Sequence, residues 1–260
     1  MKGVILAGGK GSRLFPLTAS VSKHLLPIYN KPLIYYPLST LMLAGIREYL
    51  LIVTPEHEAL YRKLFLNGDQ FGIEINYEIQ SHPEGIPSGL KLAESFCQNQ
   101  NVALILGDNF FYGQGIGRSL KIEVGDSAKI FVKEMSDVSN FGVLEVDKYG
   151  NPLNIVEKPS NSNSNLAVTG IYFYPNAVFN KINQLKKSSR GETEISDLNN
   201  LFLSENKLTY NLLPRSTVWL DTGSFDGISS ASEFVRIIEK QQGINIGDPK
   251  EIAKSNGWIP

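Results

Sequence analysis

Short apolar runs bounded by glycine and polar residues dominate the first hundred positions. Residues 4–7, Val-Ile-Leu-Ala, carry no polar interruption and end in glycines, the signature of a strand buried on both faces in a parallel sheet. Residues 49–53 and 102–106 read the same way, and residues 74–79 alternate as a half-exposed strand. Between these runs the apolar positions recur at helical spacing. Residues 32–46 show it at Leu33, Tyr36, Leu41, Leu43 and Ile46, and residues 55–66 and 89–98 repeat it. Pro37 predicts a kink or a restart in the first of these helices. Such alternation of strand and helix predicts an α/β protein with a doubly wound, mostly parallel, Rossmann-like sheet, each parallel pair joined by a right-handed crossover.

The second half is less regular. Strands are expected over residues 128–133, 143–146, 153–156, 168–174 and 208–213, and helices over 177–185, 196–203, 227–240 and 249–254. Residues 160–165 repeat Ser-Asn three times and return at once to a strand, so a surface hairpin loop is expected there rather than a domain linker. The whole chain, residues 1–260, reads as a single domain: a main α/β part to about residue 125, an inserted smaller sheet region over 126–225, and closing helices over 226–260.

Composition narrows the classes of function. The chain is 42% hydrophobic and 20% charged, values of an ordinary globular protein. Twenty-five Lys plus Arg against 26 Asp plus Glu leave a net charge of −1, so no global basic field attracts nucleic acid or an anionic membrane. An anion must be held locally. The single cysteine, Cys97, has no intrachain partner, and its helical setting reads as a buried structural thiol. The apolar stretch after Met1-Lys2 is too short for a signal peptide, and no run approaches the roughly 18 apolar residues of a membrane span. A cytoplasmic protein without membrane or nucleic-acid partners is expected.

Local chemistry is concentrated after the first strand. Leu6-Ala7-Gly8-Gly9-Lys10-Gly11-Ser12-Arg13-Leu14 places three glycines beside Lys10, Ser12 and Arg13. Glycine allows backbone to approach a ligand closely, and successive free N–H groups form an anion-binding nest. The spacing fits neither the Walker loop, since Gly11 follows Lys10, nor the dinucleotide fingerprint, which needs glycine where Leu14 stands. Lys23 lies in a proline-rich stretch expected to be extended, and is by itself a surface charge or a phosphate contact. Asp108 and Asp221 each follow an apolar run, where ligand groups sit in open α/β sheets, and each reads alone as a cap or as a metal ligand. The three histidines, His24, His57 and His82, form no triad-like pattern.

The blocks Leu6-Ala7-Gly8-Gly9-x-Gly11-Ser12-Arg13-Leu14-x-Pro16-Leu17-Thr18, Ser22-Lys23-x-Leu25-Leu26-Pro27 and Lys31-Pro32-x-Ile34-Tyr35-Tyr36-Pro37 resemble the sugar-nucleotide pyrophosphorylases, most closely their thymidylyltransferase branch. Leu106-Gly107-Asp108-Asn109, Glu157-Lys158-Pro159, Ala167-Val168-Thr169-Gly170, Arg190-Gly191-Glu192-x-Glu194 and Trp219-Leu220-Asp221-Thr222-Gly223 continue the likeness in order. The resemblance implies a nucleotide-diphospho-sugar transferase fold with a sugar-binding inserted region. It also implies an enzyme that condenses dTTP or UTP with glucose 1-phosphate, giving dTDP-glucose and pyrophosphate for polysaccharide or deoxysugar biosynthesis. A sugar phosphate is mostly dianionic at pH 7 because its second pKa lies near ~6, so no general base is needed. Catalysis then consists of positioning and cations at the α-phosphate.

Residue by residue, the resemblance implies Mg²⁺ held by Asp108 and Asp221, and catalysis by these two with Arg13, Lys23 and Lys158. It assigns the nucleotide to Leu6, Gly8, Gly9, Gly11, Ser12, Arg13, Gln80, Gly85 and Asp108, with the Gln80 amide suited to a thymine or uracil edge. The sugar phosphate falls to Gly142, Glu157, Lys158, Val168 and Arg190. Neighbours on a strand point to opposite faces, so Glu157 and Lys158 can share one ligand only if the strand distorts. Family likeness further implies a homo-oligomer, a tetramer or dimer. Departures stand at Ile86-Pro87-Ser88-Gly89, where the family usually has Leu-Ala-Gln-Ala, at His24 for glutamine, at Phe141 for tyrosine, and in a C-terminus shorter than the family's, with a regulatory nucleotide site expected to be absent or altered. These departures leave open another hexose 1-phosphate as substrate. A non-catalytic paralogue is the alternative from a different class, disfavoured because all five charged positions are retained. A retaining glycosyltransferase would need a D-x-D motif that Asp108-Asn109-Phe110 does not provide.

Overall fold

A computed structural model describes residues 1–121 and 123–260. The chain is α/β and folds as two compact units, each assembled from separated stretches of sequence. The division falls inside the strand Val102–Leu106.

The parallel unit contains residues 2–81, 105–122 and 216–260. Its sheet carries Lys2–Ala7, Glu48–Val53 and Glu74–Ile79, all parallel, with Gly3 opposite Tyr49 and Tyr49 opposite Ile75. The first two strands are buried along almost their whole length, as uninterrupted apolar runs require. The helices Tyr35–Leu43 and Glu58–Phe65 lie within the predicted spans. Pro37 neither kinks nor restarts the first of them: it falls in the first turn, where its missing N–H has no intrahelical partner to lose. A second, two-stranded ribbon pairs Asn109–Tyr112 with Val218–Asp221, antiparallel, with Asp221 opposite Asn109. It rests on the long helix Phe225–Gln242 through a cluster of Ile28, Leu33, Tyr36, Phe110, Ala231, Val235 and Ile246. That helix starts at Ser224, whose side chain accepts from the Gly227 N–H at 3.1 Å, and ends at Gly243 in the left-handed region, φ 66°.

The antiparallel unit contains Met1 and residues 82–104 and 123–215. Ala128–Glu134 runs antiparallel to Leu166–Tyr174 and parallel to Leu208–Leu212. Gly142–Val146 runs antiparallel to Pro152–Glu157 and meets the 166–174 strand at Val143 opposite Ala167. Residues 160–165 therefore do not close a hairpin. They join two strands that flank a third, and the loop is exposed but passes across that middle strand. The helical span expected over 89–98 is displaced into two short helices, Ile86–Lys91 and Glu94–Cys97, the first opening with a proline in its first turn. Cys97 is buried, as its pattern suggested.

Three further differences follow from short-range chemistry. Residues 12–25 contain three one-turn 3₁₀ helices where extended loop was expected, because Gly11 in the left-handed region and the Ser22 hydroxyl start turns that proline spacing alone conceals. The Asn109–Tyr112 strand and the Ile116–Leu120 helix are too short for a periodic signal. Among the described residues, no helix is long and apolar enough to cross a membrane.

One buried ion pair ties the long helix to the Ile28–Lys31 turn. Lys31 Nζ and Glu239 Oε1 are 2.7 Å apart, and Glu239 also accepts from Asn30 Nδ2 and the Ile246 N–H. Truncating one member leaves the other buried and uncompensated. Glu239→Ala is expected to lose about 3–5 kcal/mol of stability by urea unfolding, whereas Lys31→Met with Glu239→Leu loses much less.

Candidate active site

In the parallel unit, the first strand runs into Gly8-Gly9-Lys10-Gly11. Gly11 adopts φ 65°, and the Thr18 hydroxyl donates to its carbonyl at 2.9 Å. Gln80, the residue after the Glu74–Ile79 strand, is buried against the turn: a methyl on Gly8 would stand 2.8 Å from Gln80 Oε1. The Lys23 side chain lies along Gly9, 3.4 Å from the position a methyl there would take. Leu6, Gly8, Gly9, Gly11, Arg13, Lys23 and Gln80 thus belong to one compact unit, and Ser12 begins the first 3₁₀ turn.

The register of the ribbon brings Asp108 and Asp221 together. Asp108 precedes Asn109, and Asn109 pairs with Asp221 across the ribbon. Thr222 then fastens the crossing, its hydroxyl donating to the Asp108 carbonyl at 2.7 Å and its N–H at 3.2 Å. Asn109 is held from the other side by the Trp219 indole N–H at 2.6 Å, and its amide donates to Asp108 Oδ1 at 3.2 Å. Lys23 Nζ donates to Asp108 Oδ2, and Arg13 Nη2 lies 3.8 Å from Asp221 Oδ2.

Electrostatics reflect the proximity. Burial alone would raise the Asp108 carboxyl, but the Lys23 ammonium and the hydrogen bonds from Lys23 and Asn109 outweigh it and hold Asp108 far below the usual carboxylate range. Asp221 moves the other way. Burial raises it first and the Asp108 charge second, only partly offset by the Gly223 N–H, Arg13 and Lys23. Among the described residues no group of three or more His, Cys, Asp or Glu gathers. Two hard carboxylate oxygens pressed together against their own repulsion still suit Mg²⁺, which commonly takes one or two carboxylates and completes its shell with water and phosphate oxygens.

The antiparallel unit carries a second polar cluster. Arg190 grips Glu194 with Nη2 at 2.6 Å and Nε at 3.1 Å and lies 3.6 Å from Glu157 Oε1. The Ser196 hydroxyl donates to Glu157 Oε2, and Ser188 donates to Glu194 at 2.6 Å. Glu194 is lowered: burial opposes ionisation, but the bonds from Arg190 and Ser188 prevail, with Lys158 adding a further favourable charge. Gly142 leaves room for this network, because a methyl there would stand 3.2 Å from Ser196 Oγ. The strand ends at Glu157, and Lys158 adopts φ 44°, a left-handed conformation rare for a side-chain-bearing residue. The distortion that a shared ligand demands of Glu157 and Lys158 is therefore present. Val168 is buried on the strand Leu166–Tyr174, which the Gly142–Val146 strand separates from Pro152–Glu157. Gly85, at φ 107°, has no room for a methyl beside the Thr193 carbonyl, and Thr193 N–H donates to the Glu84 carbonyl at 2.9 Å.

Sequence reading did not single out Thr222, Trp219, Glu194 or Ser196 as supports. Arg190 and Glu194 stand four apart, a spacing that signals an ion pair once the segment is known to turn. Nothing local signals Trp219 to Asn109.

The nucleotidyl transferase family model matches residues 2–237. Curated relatives called glucose-1-phosphate thymidylyltransferase include one from Mycolicibacterium smegmatis, 47% identical over 100% of this chain and 90% of its own, and one from Neisseria gonorrhoeae, 46% identical over 100% and 91%. A solved structure from Bacillus anthracis, assigned as a glucose-1-phosphate thymidylyltransferase and crystallised with sucrose, superposes with a TM-score of 0.86, 36% identity, and 96% and 99% coverage. UDP-glucose pyrophosphorylase with UDP-glucose bound shares the fold, with a TM-score of 0.79 at 23% identity, over 91% of this chain and 98% of that one.

The opposed carboxyl shifts set a pH signature. Asp108 has a folded pKa below its unfolded value, so it contributes stability above the unfolded value that is lost as pH falls. Asp221 has a folded pKa above its unfolded value, so the stability its protonation contributes at low pH is lost as pH rises through the folded value. Carbon-13 titration should show Asp221 protonating well before Asp108 on acidification, and Asp108→Asn should move Asp221 back toward 3.8. An unmoved Asp221 would mean that the two acids do not sense each other.

Proposed function

The chain belongs to the nucleotidyl transferase family, and from that membership we propose that it condenses dTTP with glucose 1-phosphate, releasing pyrophosphate and forming dTDP-glucose. The observation that carries this reading is the convergence of Asp108 and Asp221 beside Lys23 and Arg13, next to a turn of closely approaching glycines. Two full-length relatives of that activity support the choice of substrates.

The glycine turn, Gly8 to Ser12, offers main-chain N–H groups to the triphosphate, with Leu6 alongside. Arg13 provides a planar fork for the outer phosphates and Lys23 a point charge near the α-phosphate. Gln80 reads the keto edge of the pyrimidine, and Gly85 contacts the nucleotide. UTP presents the same edge as dTTP and is the competing nucleotide. Glu157 accepts from sugar hydroxyls while Lys158 and Arg190 hold the phosphate, with Gly142 and Val168 as walls. The sugar phosphate arrives mostly as a dianion, so no side chain needs to remove a proton. The phosphate oxygen attacks the α-phosphorus in line, the bond to the bridging oxygen breaks, and pyrophosphate leaves with that electron pair. Asp108 and Asp221 would hold Mg²⁺, which when bound supplies positive charge against the phosphate oxygens.

This reading includes a homo-oligomer, tetramer or dimer, working in the cytoplasm on nucleotide sugars for polysaccharide or deoxysugar assembly. Pyrophosphate release, measured for dTTP, UTP, CTP, ATP and GTP against several hexose 1-phosphates with and without Mg²⁺, tests it. Turnover is expected with dTTP and glucose 1-phosphate and only with the ion. Asp221→Asn and Lys158→Ala should each lower kcat/KM on the order of 10²–10³-fold with the fold intact. Normal rates in both variants would remove the site assignment.

A further inference from the structure

At the turn Lys23–Leu25 lies a buried polar triad that the reaction above does not use. Ser22 Oγ is 3.0 Å from His24 Nδ1 and 2.8 Å from the Tyr61 hydroxyl, which is itself 3.3 Å from the same ring nitrogen. All three residues are buried, at 3%, 2% and 0% exposure, so the ring is shielded from solvent. The backbone is pinned as well: the His24 carbonyl accepts from the Ile34 N–H at 2.8 Å, and Ser22 caps the turn Lys23–Leu25.

The other edge of the ring faces Gly107. A methyl on Gly107 would lie 2.9 Å from His24 Cδ2 and 2.7 Å from the Leu6 carbonyl, which accepts the Gly107 N–H at 2.8 Å. His24 therefore fills the gap beside the end of the first strand and the residue that precedes Asp108, while its own chain neighbour Lys23 binds the Asp108 carboxylate. One side chain thereby backs the residue that precedes Asp108 and bonds Leu6, and it adjoins in sequence the lysine paired with that acid.

We propose that His24 is a positioning residue: held by Ser22 and Tyr61, its ring fixes the Lys23–Asp108 pair at the end of the first strand. The proposal rests on the functional reading above for what that pair does, but not for where it sits. Loss of the brace displaces two charged groups without removing either, which lowers the rate of the chemical step more than it weakens the binding of either substrate.

Three variants test this. His24→Ala is expected to lower kcat on the order of 10- to 100-fold while KM for both substrates changes little. His24→Gln, whose amide can reach the Ser22 and Tyr61 hydroxyls, should recover most of that loss. Gly107→Ala, which pushes the ring aside, should reproduce the His24→Ala defect. Amide resonances of Gly107 and Asp108 provide a readout without turnover and should shift in His24→Ala. Unchanged kcat per folded molecule in His24→Ala overturns the proposal, as does a His24→Gln variant as slow as His24→Ala. A wild-type protein that releases no pyrophosphate from any substrate pair would defeat the functional reading instead, and the amide shifts would still judge the brace.

Discussion

Asp108 and Asp221 stand close enough for the charge of the first to raise the carboxyl of the second, and the ribbon holds them there against that repulsion. Asp108 remains charged because Lys23 and Asn109 bond to it, and Asp221 bears the cost, its carboxyl pushed up by burial and by its neighbour. Like charges in such a position persist only where the surrounding chain leaves them no room to separate. Here the ribbon register sets Asp221 opposite Asn109, and Thr222 binds the Asp108 carbonyl twice. An arrangement that is costly in itself is suited to a divalent cation, whose positive charge would relieve the repulsion between the two carboxylates.

The antiparallel unit solves a related problem with the opposite sign. Arg190 is half-exposed and long, and the bidentate grip of Glu194 removes most of its freedom. Ser196 does the same for Glu157. The left-handed turn at Lys158 breaks the strand alternation that would otherwise send adjacent side chains to opposite faces.

Much of the fold is legible in apolar periodicity. The Glu74–Ile79 and Val102–Leu106 strands carry the bounds their pattern implies, since five or six apolar or alternating residues flanked by breakers have few other solutions. Legibility fails where an element is short or where one residue changes role with context. Pro37 looks like a helix breaker and serves as a first-turn residue. The serine-asparagine repeat has the composition of a hairpin turn, yet its strands are not neighbours, because pairing partners are chosen by the whole sheet. His24 sits in no catalytic motif, and only packing reveals that it touches the peptide preceding Asp108.

Family resemblance supplied the pairing of the two acids and the roles of Glu157, Lys158 and Arg190; from residue order alone came the α/β class, the glycine turn with its cations, and Asp108 and Asp221 as separate strand-end acids. These are local properties, set by period, by the conformational freedom of glycine and by charge, and they need no partner to be recognised. That Asp108 and Asp221, 113 positions apart, meet across one ribbon was decided only by the folded chain. So were the Arg190–Glu194 grip, the turn at Lys158, and the neighbouring charges and hydrogen bonds that shift the two acids in opposite directions. Distance and desolvation between remote residues depend on every intervening contact, so no local pattern encodes them.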